Sequence, residues 1–337
     1  MTDLFNALTL LANYVIVPAL SYGSQLGLGA LGVTLIYGIL RFSNFAHGDT
    51  MAFGTMVTIL LTWLAQSMGV TIYPLPTAIL VLPIGIAVTI LMVLAIDKTV
   101  YAHFRKVRAS PVIFIMASVG VMFVLQGIIR LIIGPDDQLF ADGARFLVRA
   151  KEFKATFGLN EGLSIRISQL VTIIFTIILA TLLFWFLHNT RTGKSMRAYS
   201  DNNELAQLSG INPDRVIMLT WIIAATLATV AGVLFGLDKS FRPFLFFQLL
   251  LPIFAAAIVG GLGNPLGAFV GGYIVAFSEI TLTYAYKRFF IYILPESMEP
   301  SSLVQLLGTE YKIAVSFFIL VLVLLIKPTG IFGERTT

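Results

Sequence analysis

Cysteine is absent from this 337-residue chain, and charge is scarce: Asp, Glu, Lys and Arg together supply 12% of it. Without cysteine there are no disulfides and no thiolate metal sites, whatever the compartment. The three histidines, His47, His103 and His188, fall in separate segments, so no metal site is expected from them either. An ordinary soluble domain is about 25% charged, roughly twice this value. What replaces the charge is apolar: hydrophobic residues make up 58% and the mean hydropathy is +0.92. The chain therefore reads as a polytopic membrane protein, with no room for a large soluble domain. No Lys/Arg run suggests nucleic acid, and the net charge of +5 fits basic loops facing a cytoplasm. Residues 1–20 carry a single charge, Asp3, and hence no basic leader of a secretory signal.

The predicted fold class is all-α: a polytopic helical bundle of about eight or nine spans forming one domain over residues 1–337. Apolar stretches at about 15–40, 50–67, 76–96, 111–133, 166–187, 216–237 and 311–326 are each near bilayer length, and 248–286 reads as two more. Lys98, Arg105, Lys106 and Arg108 crowd one short connection; Arg191, Lys194 and Arg197 lead another. The excess of positive charge places both inside, and alternation then puts the long segment 134–164 outside. That segment mixes acids and bases, and structureless loops of its length are uncommon; it reads either as short elements packed on the outer face or as a solvated loop. The segment 287–310 also falls outside and the chain ends inside.

Small residues recur where helices need close approach. Gly23, Gly27, Gly29 and Ala30 mark the first span, and Ala224, Ala228, Gly232 and Gly236 repeat every four residues in the sixth. Within 260–272, Gly260, Gly261, Gly263, Gly267 and Gly271 surround the turn signal Asn264-Pro265. Two forms satisfy this pattern: a broken helix lining a path, or a tight hairpin at the inner surface.

Polar residues in apolar surroundings are the candidate path or gate. Asn44, His47 and Asp49 interrupt the background within six positions; they either line a conduit or form a surface turn in which Asn44 and Asp49 cap helix ends. Glu279 lies well inside an apolar run, where an unpaired charge costs about 2.5–3.5 kcal/mol, so it faces the bundle or a cavity as a gating or a hydrogen-bonded structural group.

The polar insert 190–215 is the organising feature. Asp201 followed by Glu204 reads as a capping box, and Gly210 and Pro213 as stop signals for a short helix. Leu205, Leu208 and Ile211 recur at three-residue spacing, giving an apolar stripe on a helix too short to stand alone. Two readings fit: an ordinary connection between spans, or a helix that docks a partner outside the bilayer, for which a soluble energising subunit is the natural candidate. TGKS at 192–195 is no phosphate loop: five residues before Gly193 stands His188 instead of glycine, and no strand precedes it.

Four stretches, SYGSQLGLGALGVTLIYGILRFSNFAHGD, TRTGKSMRAYSDNNELAQLSGINPDRV, FAAAIVGGLGNPLGAFVGG and KPTGIFG, together resemble the permease subunits of branched-chain amino acid ABC importers. The resemblance covers nearly the whole chain. It implies a bacterial inner-membrane subunit paired with a second, related or identical permease, two cytoplasmic ATPases and a periplasmic substrate-binding protein, with no cofactor of its own. It further implies that Glu204, Ala206 and Gly210 belong to the coupling loop that touches the ATPase. Urea and short amides are alternative cargoes within the same class. A self-sufficient secondary transporter or channel is a rival that the paucity of intramembrane charge disfavours. No HExxH, GxSG with a partnered His, or intramembrane aspartate pair is present, so an intramembrane enzyme lacks its reacting group.

Overall fold

The first long apolar run sits at the centre of everything else. In a computed structural model, which describes residues 2–140, 142, 145–295 and 298–333, helix α2 (Val17–Leu40) is enclosed on all sides, packed against α8 (Ile167–Asn189), α11 (Pro213–Asp238), α12 (Pro243–Gly260) and α13 (Pro265–Thr283). Its small residues permit this. A Cβ at Gly23 would meet the Tyr273 ring at 2.7 Å, and one at Gly29 would meet Ile253 at the same distance, so α12 and α13 lie directly on the α2 backbone. Residue 1, residues 141, 143–144 and 296–297, and the last residues, 334–337, lie outside the described residues.

Around this centre stand α3 (His47–Ser67), α4 (Ala78–Ile96), α6 (Pro111–Ile133) and α15 (Lys312–Ile326). Among the described residues nine helices are long and apolar enough to cross a bilayer. Leu91, Leu131, Trp185 and Leu325 on α4, α6, α8 and α15 are exposed, as a lipid-facing rim requires. Four spans, α6, α11, α12 and α13, open on proline in the first turn, where its missing N–H leaves no bond unmade. The small face of α11 packs on α3 as expected: a Cβ at Gly232 would fall 2.6 Å from the Met51 carbonyl.

Several boundaries differ from the reading of the sequence, three of them near the candidate residues or the chain's first span. The first span begins far earlier, because α1 (Thr2–Leu11) runs through a π-helical turn at Ala12–Ile16 directly into α2. The third span likewise continues through a second π turn, Asp97–Tyr101, into α5 (Ala102–Lys106), so its basic connection is largely helical. The predicted second span starts at His47, which puts His47 and Asp49 inside α3.

The segment 134–164 does carry short elements: β1 (Phe146–Val148) pairs antiparallel with β2 (Ile165–Arg166) around α7 (Ala150–Phe157). Its end is tied to α1, where Asn6 Oδ1 accepts the N–H groups of Asn160 and Glu161 at 3.0 and 3.1 Å. Glu161 in turn accepts from the Tyr292 hydroxyl and pairs with Arg288, both at 3.1 Å, on or beside α14 (Lys287–Ile293).

Candidate functional site

The insert folds as two helices, α9 (Arg191–Asp201) and α10 (Asn203–Leu208), with a single residue between them. The expected cap shifts by one position. Asp201 closes α9, whereas Asn202, in extended backbone, accepts the N–H groups of Glu204 and Leu205 on its Oδ1 at 3.1 and 3.0 Å. Gly210 ends α10 with φ +85°, as a left-handed stop requires. Pro213 ends nothing. It opens α11, whose cap is Asn212. TGKS lies in the first turns of α9, where Thr190 Oγ1 caps Gly193 at 3.0 Å, so these residues form a helix start and no phosphate cradle.

The apolar stripe divides into an anchored and a free part. Ala206 is buried and Ile211 packs on the same apolar cluster that Phe104 and Tyr199 adjoin, while Leu205 is 61% and Leu208 84% exposed. Glu204 is exposed in the first turn of α10. Burial pushes the Tyr199 phenol above its usual range, with the nearby Arg105 guanidinium opposing it, so the two basic connections share one end of the bundle.

The glycine-rich break takes the second of its two possible forms, a tight hairpin. A Cβ at Gly260 would sit 2.1 Å from the Gly267 carbonyl, and one at Gly271 2.2 Å from that of Ala256, so α12 and α13 run back to back with main chains touching. The chain between them, Gly261 to Asn264, lies at the end that carries the insert. The carboxy-terminal KPTGIFG covers it: Ile331 and Phe332 donate to the carbonyls of Val259 and Gly260 at 2.8 and 3.1 Å, and Asn264 Nδ2 donates to the Phe332 carbonyl at 2.9 Å.

Between the hairpin tip, the ends of α2 and α8, and α9 lies a cavity of about 920 Å³. Leu35, Ile39, Phe184 and Leu187 form apolar wall; Arg41, His188, Lys194, Arg197 and Asp201 stand at its polar side; Gly263 and Asn264 close it at the tip. That size and mixture suit a small amphiphilic solute.

Asn44, His47 and Asp49 lie elsewhere, and not in a surface turn. Residues 41–46 leave the end of α2 as irregular chain, left-handed at Arg41 and turning at 45–46, and run back into the bundle. His47 ends beside Gly32, where a Cβ would come 2.6 Å from its ring. Gly32 is nine positions before Arg41, about 13 Å along the helix axis at 1.5 Å per residue, so α3 starts well inside the bundle. Irregular backbone at that depth persists only when protein satisfies it. Here it does: Phe45 N–H donates to Ser118 Oγ and Ala46 N–H to Asn44 Oδ1, each at 3.1 Å. Phe42 is wedged between Tyr101 and Phe114, with ring centroids 5.4 and 5.2 Å away. Asp49 caps nothing; its Oδ2 accepts from Gln126 Nε2 at 3.3 Å. His47 is 1% and Asp49 0% exposed. This trio therefore forms a buried polar core of the re-entrant segment and does not line the 920 Å³ cavity.

Glu279 is separate from both. It is buried on α13, where Ser316 Oγ of α15 donates to its carboxylate, so it ties two helices together. Among the described residues no cluster of His, Asp or Glu could hold a metal. Sequence reasoning missed Arg41 and Ser200, which join α2 to α9: Ser200 Oγ donates to the Gly38 carbonyl at 3.1 Å, and the Arg41 guanidinium donates to the Ser200 carbonyl. Neither bears a local signal, since the partners are 162 and 159 residues apart.

Comparison with known proteins agrees along the whole chain. A family profile described as the permease component of branched-chain amino acid transport systems matches residues 15–324. Over 339 residues the chain is 32% identical to the high-affinity branched-chain amino acid transport system permease protein LivH of Salmonella typhimurium, covering 99% of this chain and 96% of that one. The corresponding permease BraD of Pseudomonas aeruginosa is 28% identical over 335 residues, 99% of this chain and 98% of its own. A probable LivH of Methanocaldococcus jannaschii is 30% identical, with 94% and 90% covered.

Proposed function

The chain belongs to the family of branched-chain amino acid transport permease components, and from that premise we propose that it is the membrane-spanning subunit of an ATP-binding-cassette importer in the bacterial inner membrane. It works beside a second permease, related or identical, with two cytoplasmic ATPases and a periplasmic substrate-binding protein. Its cargo is branched-chain or related amino acids. It hydrolyses nothing itself.

The observation that carries this reading is α10. Two leucines, 61% and 84% exposed, project from a polar end of the bundle rather than from its lipid-facing rim, while Ala206 and Ile211 hold the other side down. Exposed apolar residues on a short, capped helix at that place fit a soluble partner's groove. Glu204, Leu205, Ala206, Leu208, Gly210 and Ile211 form the contact, and nucleotide binding by the partner moves α10. Because one residue separates α10 from α9, the movement reaches the cavity wall, where Gly263 and Asn264 oppose Lys194, Arg197 and Asp201. The cavity serves as the inner mouth of the path: its apolar wall suits an aliphatic side chain, and its charges of both signs suit a zwitterion.

The test is Leu205→Asp with Leu208→Asp in the assembled importer. Both side chains are exposed, so the chain inserts normally while ATP-driven uptake is lost. Undiminished uptake defeats the reading.

A further inference from the structure

Resting on that reading, we infer that Arg41 and Ser200 are positioning residues that transmit movement of α10 to the re-entrant segment bearing Asn44 and His47. The link is continuous in the structure. Asn202 caps α10 with its side chain and closes α9 with its own N–H, donated to the Ala198 carbonyl at 3.1 Å, so the two helices move together. Ser200 lies in the last turn of α9, where carbonyls are left without helical partners. The Arg41 guanidinium occupies its carbonyl, a cation at the negative end of a helix. Ser200 Oγ meanwhile donates to the Gly38 carbonyl at 3.1 Å. A Cβ at Gly38 would stand 3.0 Å from that hydroxyl, so only glycine admits the contact undisturbed.

Arg41 itself marks the point where helix becomes re-entrant chain. Its backbone is left-handed, φ 58° and ψ 30°, which an L side chain adopts at a cost. Phe42, next in sequence, is locked into the Tyr101 and Phe114 rings, and Tyr101 stacks on Trp221 of α11 at 5.3 Å. Trp221 Nε1 donates to Asp97, which Arg105 grips at 2.6 and 2.8 Å. One side of the re-entrant segment is thus held to the bundle through aromatic rings and the other to α9 through Arg41. Displacing α9 changes the pull on Arg41 and alters the segment at its only left-handed residue, whereas the ring stack stays put.

The experiment uses the complete importer in proteoliposomes, measuring ATP hydrolysed and amino acid imported together. Arg41→Gly keeps the left-handed backbone and removes the guanidinium; Ser200→Ala removes the hydroxyl. The expected result is a tenfold or greater fall in uptake per ATP for Arg41→Gly, a smaller one for Ser200→Ala, and a double variant no worse than Arg41→Gly. Arg41→Lys, which still offers a cation to the same carbonyl, restores most of the ratio. Since the chain lacks cysteine, Ser43→Cys reports on the segment directly: its maleimide labelling changes between nucleotide-free and vanadate-trapped complexes, and Arg41→Gly abolishes the change. An unaltered uptake-to-ATP ratio, a parallel fall in both activities, or a nucleotide response that survives Arg41→Gly overturns the inference. A wild-type complex that imports nothing with ATP overturns the importer reading itself, a distinguishable failure.

Discussion

Replacing Gly260 with Ala tests the hairpin where it is tightest. The new Cβ would lie 2.1 Å from the Gly267 carbonyl oxygen, against an ordinary contact of 3.4 Å or more, so α12 and α13 must part by about 1 Å in a region packed to crystal-like density. Overpacking of this kind costs roughly 1–3 kcal/mol. The parting also stretches the bonds from Ile331 and Phe332 to Val259 and Gly260, each contributing about 1 kcal/mol. Gly263→Ala supplies the control: nothing lies within 4 Å of its Cβ, and only the left-handed backbone, φ +88°, resists, at about 1–2 kcal/mol. Thermal unfolding of the detergent-solubilised chain should therefore rank Gly260→Ala well below Gly263→Ala, with uptake lost in the first and largely kept in the second. Equal losses, or a Gly260→Ala protein as stable as the wild type, would refute the direct main-chain packing of α12 on α13.

Other consequences are open to simple measurements. Phe42→Ala empties a buried site between two rings and should destabilise the chain by about 3–5 kcal/mol, seen as a lower unfolding temperature. Asn202→Ala removes the acceptor for two N–H groups at the start of α10, a loss of about 1 kcal/mol confined to that helix; limited proteolysis after Asn202 should quicken while global unfolding stays put. Single cysteines at Arg105 and Arg197 should both label from the cytoplasmic side and neither from outside. Labelling of one from each face would break the shared basic end inferred from Tyr199 and Arg105.

The spans were legible because a bilayer imposes length and hydropathy on each helix separately. Residues 111–133 coincide with α6, and the break at Asn264-Pro265 falls where α12 gives way to α13. That the break is a hairpin depends on Gly260 touching Gly267, a pairing that spacing suggests without deciding between its two forms. The short helix was legible too, and its cap was misplaced by one residue because Asp201 and Asn202 are both good capping residues; the choice was made by where α9 ended. The re-entrant segment was not legible. Six residues with Asn, His and Asp nearby read more readily as a surface turn, and long-range partners, Tyr101, Phe114 and Ser118, hold them at depth. For the same reason α1 escaped notice: Asn6 and Asn13 interrupt its apolar pattern, and only the distant N–H groups of Asn160, Glu161 and Ser164 satisfy their side-chain oxygens.

Reconstitution decides the central claim. The purified chain, placed in liposomes alone and then with its second permease, ATPases and binding protein, is assayed for branched-chain amino acid uptake with and without internal-face ATP. Uptake that appears only in the complete assembly, and only with ATP, is the predicted result; steady accumulation by the solitary chain, driven by an ion gradient or by nothing, would contradict it.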